Sequence, residues 1–171
     1  MNKSTNSTNH IMDGNTTISN IVLSMREFQE KNGIQKQCVT NCQYLYDVIK
    51  LNGNHNVKVK AVIVISDMDT LGIISHLVVV NNNTLLEPSY DVFSLQNKSY
   101  FDNTKDFMER FDNEFKQVAQ LNLKESIGNF LALMKLADRI NDGELVITDK
   151  EFYDRQADFI ESKWNARSYV V

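Results

Sequence analysis

The stretch from residue 57 to residue 88 constrains this chain more than any other. Residues 57–66 (VKVKAVIVIS) and 73–80 (IISHLVVV) are rich in β-branched side chains and are strand length, so they read as two strands. Lys58 and Lys60 alternate with Val57, Val59 and Ala61, which marks a half-exposed start. The unbroken apolar run after it marks burial on both faces. Residues 66–72 (SDMDTLG) form the loop between the strands. Asn81-Asn82-Asn83 is a turn signal that tolerates positive φ. Residues 84–87 (TLLE) return as a third strand, which Pro88, the only proline, stops.

Helical periodicity surrounds this meander. Residues 21–31 place Val22, Met25, Phe28 and Gln29 along one side, and Asn32-Gly33 ends the helix with a residue suited to the left-handed cap. Cys38, Cys42, Leu45 and Ile49 share one face of a second helix that runs to about Leu51. Further helices fit 104–120, where Phe107, Phe111 and Phe115 form a packing stripe, and 124–141. Thr148-Asp149-Lys150-Glu151 has capping-box form and opens a last helix of about fifteen residues. The order helix, helix, three-stranded meander, helices is an α+β pattern. Residues 1–20, rich in Asn, Ser and Thr, read as a disordered polar tail. Residues 21–171 then form one domain, with a core over 33–90 and a helical part over 104–171.

Composition excludes several classes. A net charge of −4 and a pI near 5.4 give no electrostatic reason for nucleic-acid binding. No apolar run approaches the roughly 20 residues of a membrane span, and MNKSTNSTNH holds no signal-like apolar core. Two cysteines four apart do not make a disulfide scaffold, so free thiols and a reducing, cytoplasmic compartment are expected. The Asn-rich, Lys-over-Arg composition fits an AT-rich genome, viral or protist.

Of the three histidines, His10 lies in the tail and His55 in a polar loop, whereas His76 sits inside an apolar strand and needs partners for both ring nitrogens. A two-residue loop at Asn81-Asn82 sets His76 opposite Glu87, at roughly 4.5–5.5 Å between Cβ atoms. A loop centred on Asn82-Asn83 sets Ser89 opposite and leaves Glu87 a diagonal neighbour on the same face. In either register a carboxylate can orient the imidazole. Cys38 opens a helix, where free backbone amides favour a thiolate and can stabilise an oxyanion. Cys plus His plus an acid is the set that thiol acyl chemistry requires.

The stretches Gln37-Cys38-Val39-Thr40-Asn41, Ser75-His76-Leu77-Val78-Val79 and Leu86-Glu87-Pro88-Ser89 resemble, in order, the papain-like cysteine hydrolase superfamily. The likeness is nearest its transglutaminase-like and NlpC-like branches, and the Cys38, Asn41, Leu45 spacing also resembles its N-terminal glutamine amidases. It covers residues 33–90. It implies a papain-like core with a nucleophile helix packed on a small antiparallel sheet. The implied triad is Cys38, His76 and Glu87, with Glu in place of the usual Asp and neither Gly nor Trp beside Cys38. It also implies an upstream oxyanion side chain, for which Gln35 and Asn32 are the candidates. Cys42 reads as core filling and Asn41 as structural. The expected activity is hydrolysis of a peptide, isopeptide or side-chain amide bond, with acyl transfer an alternative outcome. The expected partner is a protein or peptide substrate, with no cofactor, metal, nucleic acid or membrane. A metal site made by Cys38, Cys42 and His76 lacks the spacing of known zinc knuckles. The remaining rival is a non-enzymatic interaction module with a structural His–Glu pair.

Overall fold

Two strands whose apolar side chains serve both faces demand cover on both sides, and the computed structural model, which describes residues 14–67, 71–117 and 120–168, supplies it in an α+β fold. Strands β1 (Val57–Ser66), β2 (Gly72–Asn81), β3 (Thr84–Leu86) and β4 (Lys98–Phe101) form an antiparallel sheet in the order β3-β2-β1-β4. On one face Val59, Ala61, Ile63 and Ile65 of β1 join Leu77 and Val79 of β2 in the main core. Helices α2 (Cys38–Leu51) and α5 (Gln120–Asn141) cover that face. On the other face Val62, Val64 and Val78 form a smaller cluster under Val92 of the one-turn helix α3 (Tyr90–Phe93).

The sequence shows three strands and the structure four. At four residues, β4 is too short to carry a legible alternation, and it is fixed by pairing with β1 from Ile63↔Phe101 to Ser66↔Lys98. The polar tail is also shorter than expected. Helix α1 (Gly14–Asn32) takes in residues 14–20, because buried Ile18 extends the stripe of Ile21, Val22 and Met25 backwards by one turn. The tail reading for residues 1–13 lies outside the described residues, as do residues 68–70 of the expected 66–72 loop and residues 118–119 of the expected 104–120 helix. That helix is observed as α4 (Thr104–Arg110) widening into a π turn over Phe111–Phe115. Helix α6 (Lys150–Ser168) starts one residue later than the Thr148 capping box implies: Asp149 caps it, its Oδ1 accepting from the Phe152 amide at 3.0 Å. No helix among the described residues is long and apolar enough to cross a membrane.

Two terminations matter for the site. Gly33, at φ +63°, closes α1 with bonds from its own amide to the Glu30 carbonyl and from Ile34 to the Gln29 carbonyl, and so turns the chain toward α2. The β2–β3 hairpin turns on Asn82 and Asn83, at φ +50° and +65°, the left-handed pair of a type I′ loop. The register is therefore Asn81↔Thr84, Val80↔Leu85 and Val79↔Leu86. Of the two hairpins the sequence allows, this is the second, and it leaves Glu87 diagonal to His76.

Buried Gln29 holds these pieces together. Its amide nitrogen faces the Pro88 carbonyl at 2.8 Å, Gln156 Oε1 at 3.0 Å and Asn41 Oδ1 at 3.1 Å, and its oxygen accepts from the Tyr90 amide at 2.8 Å. Asn41 in turn donates to Ser89 Oγ at 2.9 Å. One side chain of α1 thus ties α2, α6 and the Glu87-Pro88-Ser89 turn. Gln29→Ala leaves several of these buried groups unpaired, each worth roughly 1–3 kcal/mol. Urea denaturation is expected to show Gln29→Ala destabilised by about 3 kcal/mol or more; an unchanged midpoint would show the network to be dispensable.

Candidate active site

His76 reaches its place through strand parity. Leu77 and Val79 point into the main core, so His76 and Val78 point to the opposite face, opposite Val62 and beside the end of β3. Only 2% of His76 and 7% of Glu87 is exposed, so each must find its polar partners inside the protein. The ring Nε2 lies 2.9 Å from both Glu87 oxygens. The Ser89 amide donates to Glu87 Oε1 at 3.0 Å, and the Tyr100 hydroxyl donates to Oε2 at 3.0 Å. Arg26 adds positive charge near Glu87 while its guanidinium stacks 3.7 Å above the Phe93 ring. Burial pushes the Tyr100 hydroxyl up and the nearby Glu87 pushes it further, so Tyr100 is a donor to Glu87 at any physiological pH.

With Nε2 committed to Glu87, Nδ1 is the nitrogen left for a second partner. Cys38, at the start of α2, lies near enough to the ring to act on its pKa. Burial alone would lower the His76 pKa, but the hydrogen bonds to Cys38 and Glu87, and their charges, outweigh it and raise the value to about 9. His76 in the middle of β2 and Glu87 after β3 are in direct contact, and Cys38 at the start of α2 is close enough to the ring to influence its pKa.

Cys38 is the first residue of α2 and is partly exposed. Gln37 precedes it without capping the helix; its amide instead donates to Asp149 Oδ2 at 3.2 Å and its oxygen accepts from Thr40. The first-turn amides of α2 are thus free of side-chain caps beside the sulfur. Cys42, one turn on, is fully buried, and burial pushes its thiol well up. It packs beneath the site as core. Among the described residues no group of three or more His, Cys, Asp and Glu side chains is arranged to hold a metal ion.

No hydrogen bond among the described residues ties either expected oxyanion side chain to Cys38. Gln35 is exposed in the loop before α2, and no hydrogen bond among the described residues fixes it. Asn32 donates to the Phe28 carbonyl of its own helix at 2.8 Å. Both side chains are exposed. Sequence reasoning missed Tyr100 and Gln29. Tyr100 sits on the strand that the pattern did not reveal, and the helical position of Gln29 was visible without a sign of what its amide would hold. A cleft of about 590 Å³ opens at Cys38, between β2 and α5.

Comparison with protein-family models, with characterised proteins and with solved structures found no match to this chain.

The raised His76 pKa has a thermodynamic sign. An imidazole at about 9 in the folded chain and 6.5 in an ordinary setting binds its proton more tightly when folded. Its contribution to stability is complete below pH 6.5 and is lost as pH rises through about 9. Histidine NMR titration is expected to place His76 near pH 9 and to find it lowered in Glu87→Gln. The unfolding free energy of the wild type should fall over that interval, and the slope should be absent in His76→Asn. A His76 titrating at or below 6.5 would contradict the assignment.

Proposed function

We propose that the protein is a cysteine hydrolase that cleaves amide bonds through Cys38, His76 and Glu87. The observation that carries this reading is a buried imidazole held by a carboxylate on one nitrogen, with a partly exposed sulfur at an uncapped helix start near enough to act on the ring's pKa. A structural His–Glu pair needs no thiol near the ring and no cleft at that thiol. The order of the three motifs, which resembles the papain-like superfamily, supports the same reading, as does the packing of the Cys38 helix on the sheet.

In the proposed reaction the Cys38 sulfur, its proton held by His76, attacks the amide carbonyl carbon. The new C–S bond pushes the carbonyl electrons onto oxygen, where the free amides at the start of α2 receive the charge. The C–N bond breaks as His76 gives its proton to the departing amine, leaving a thioester. Water, deprotonated by the neutral imidazole, adds to the thioester and releases a carboxylate, returning the proton to the Cys38–His76 pair. An amine in place of water would give acyl transfer. Glu87 fixes which ring nitrogen faces the sulfur and balances the imidazolium charge, and Tyr100 and the Ser89 amide hold Glu87 in place.

Iodoacetamide at about pH 5.5 is expected to label Cys38 rapidly and Cys42 negligibly, and His76→Asn should slow Cys38 on the order of a hundredfold. Cys38→Ala should retain the fold and lose all turnover, while Glu87→Gln keeps part of it, because orienting the base is less essential than the base. Slow labelling of wild-type Cys38, or full activity in Cys38→Ala, would contradict the mechanism.

A further inference from the structure

The edges of the sheet are treated unequally. The Asn82 amide bonds to the Asn56 carbonyl at 3.1 Å, which continues the β1–β2 ladder and fixes its phase. Even-numbered residues of β2 therefore turn their backbone groups to β1, and odd-numbered residues turn theirs to the other side. There β3 pairs only with Val79–Asn81, so Ile73 and Ser75 present N–H and C=O groups to which no other segment among the described residues bonds. The corresponding free stretch of β1 is closed: Asn141 accepts from the Val59 amide at 2.8 Å and donates to its carbonyl at 2.9 Å, as a neighbouring strand would. An exposed strand edge invites another strand, and proteins ordinarily block it. Here the blocked edge is remote from the sulfur. The open one lines the same cleft as Cys38, across from Ser126 and Leu133 of α5. Ser75 Oγ donates to the Ser126 carbonyl at 2.6 Å, which holds α5 at a set distance from that edge.

We infer that the acyl donor is a polypeptide bound in extended form as an added strand on the Ile73–Ser75 edge, which delivers a main-chain carbonyl to the Cys38 sulfur. The inference rests on the reading of Cys38 as nucleophile and narrows its substrate. Backbone groups repeating every second residue match another main chain. A lone side-chain amide or a small amide offers one such group and leaves the rest of the edge unpaired. Main-chain recognition of this kind fixes the direction and register of the substrate and leaves selectivity to side chains that enter the cleft.

The test compares alkylation of Cys38, followed by mass spectrometry, by three reagents with the same electrophile. These are chloroacetone, a pool of N-acetyl tetrapeptidyl chloromethyl ketones of mixed residue type, and the same pool with its backbone amides N-methylated. The peptide pool should react at least roughly tenfold faster than chloroacetone, and N-methylation should abolish the gain, about what one or two lost hydrogen bonds imply. All three reagents act on the wild-type protein, so the result does not depend on the folding of a variant. Rapid reaction with chloroacetone and no peptide gain, or a gain that survives N-methylation, overturns the added strand and leaves Cys38 as nucleophile. Reaction of Cys38 with chloroacetone no faster than free cysteine overturns the nucleophile and the inference with it.

Discussion

The interaction on which the rest depends is the buried contact between His76 and Glu87. Taking an imidazolium and a carboxylate out of water costs several kcal/mol per ion, and the attraction between them offsets this only when the remaining hydrogen-bonding capacity is also filled. Here it is filled. Both carboxylate oxygens receive Nε2, one also receives the Ser89 amide, and the other the Tyr100 hydroxyl. These donors come from three places in the chain: the middle of β2, the turn after β3 and the last strand. The site therefore exists only when the sheet is assembled.

The same logic explains the polar network behind it. Glu87-Pro88-Ser89 is not part of the β-ladder, so something else must fix it. Gln29 grips the Pro88 carbonyl and the Tyr90 amide, and Asn41 grips Ser89. Asn41 lies one turn after Cys38 on α2, so a single hydrogen-bonded unit sets the Cys38 helix and the Glu87-bearing turn relative to each other. A shift of α2 that moved the sulfur would have to break buried hydrogen bonds, whose loss is not compensated by water.

Much of this arrangement is legible in the sequence. Strand parity around Leu77 and Val79 already separates His76 from the main core, and Asn81-Asn82-Asn83 already announces a tight hairpin. The residues could not choose between two loops one position apart, because Asn is tolerated at positive φ at each of the three positions. The structure settles this with Asn82 and Asn83. Strand β4 and its Tyr100 were illegible because four residues carry too little pattern. The role of Gln29 was illegible for a different reason: a glutamine on the apolar side of a helix signals burial, but its partners lie 12, 59 and 127 positions away. The expected oxyanion side chains, Gln35 and Asn32, came from resemblance rather than from geometry. Both are exposed, and no hydrogen bond among the described residues joins either to Cys38.

The elements divide the labour of the proposed reaction. Sheet and turn hold the base in one tautomer, α2 presents a sulfur among free amides, and β2 leaves its edge open beside that sulfur. The central claim is that Cys38 and His76 act as one acyl-accepting unit. The most direct measurement is intact-protein mass spectrometry after brief exposure to p-nitrophenyl acetate. The expected result is a single acetyl adduct, mapped to Cys38, that forms and then hydrolyses in the wild type and is lost in His76→Asn. An adduct that forms equally well without His76, or that maps to another residue, would contradict it.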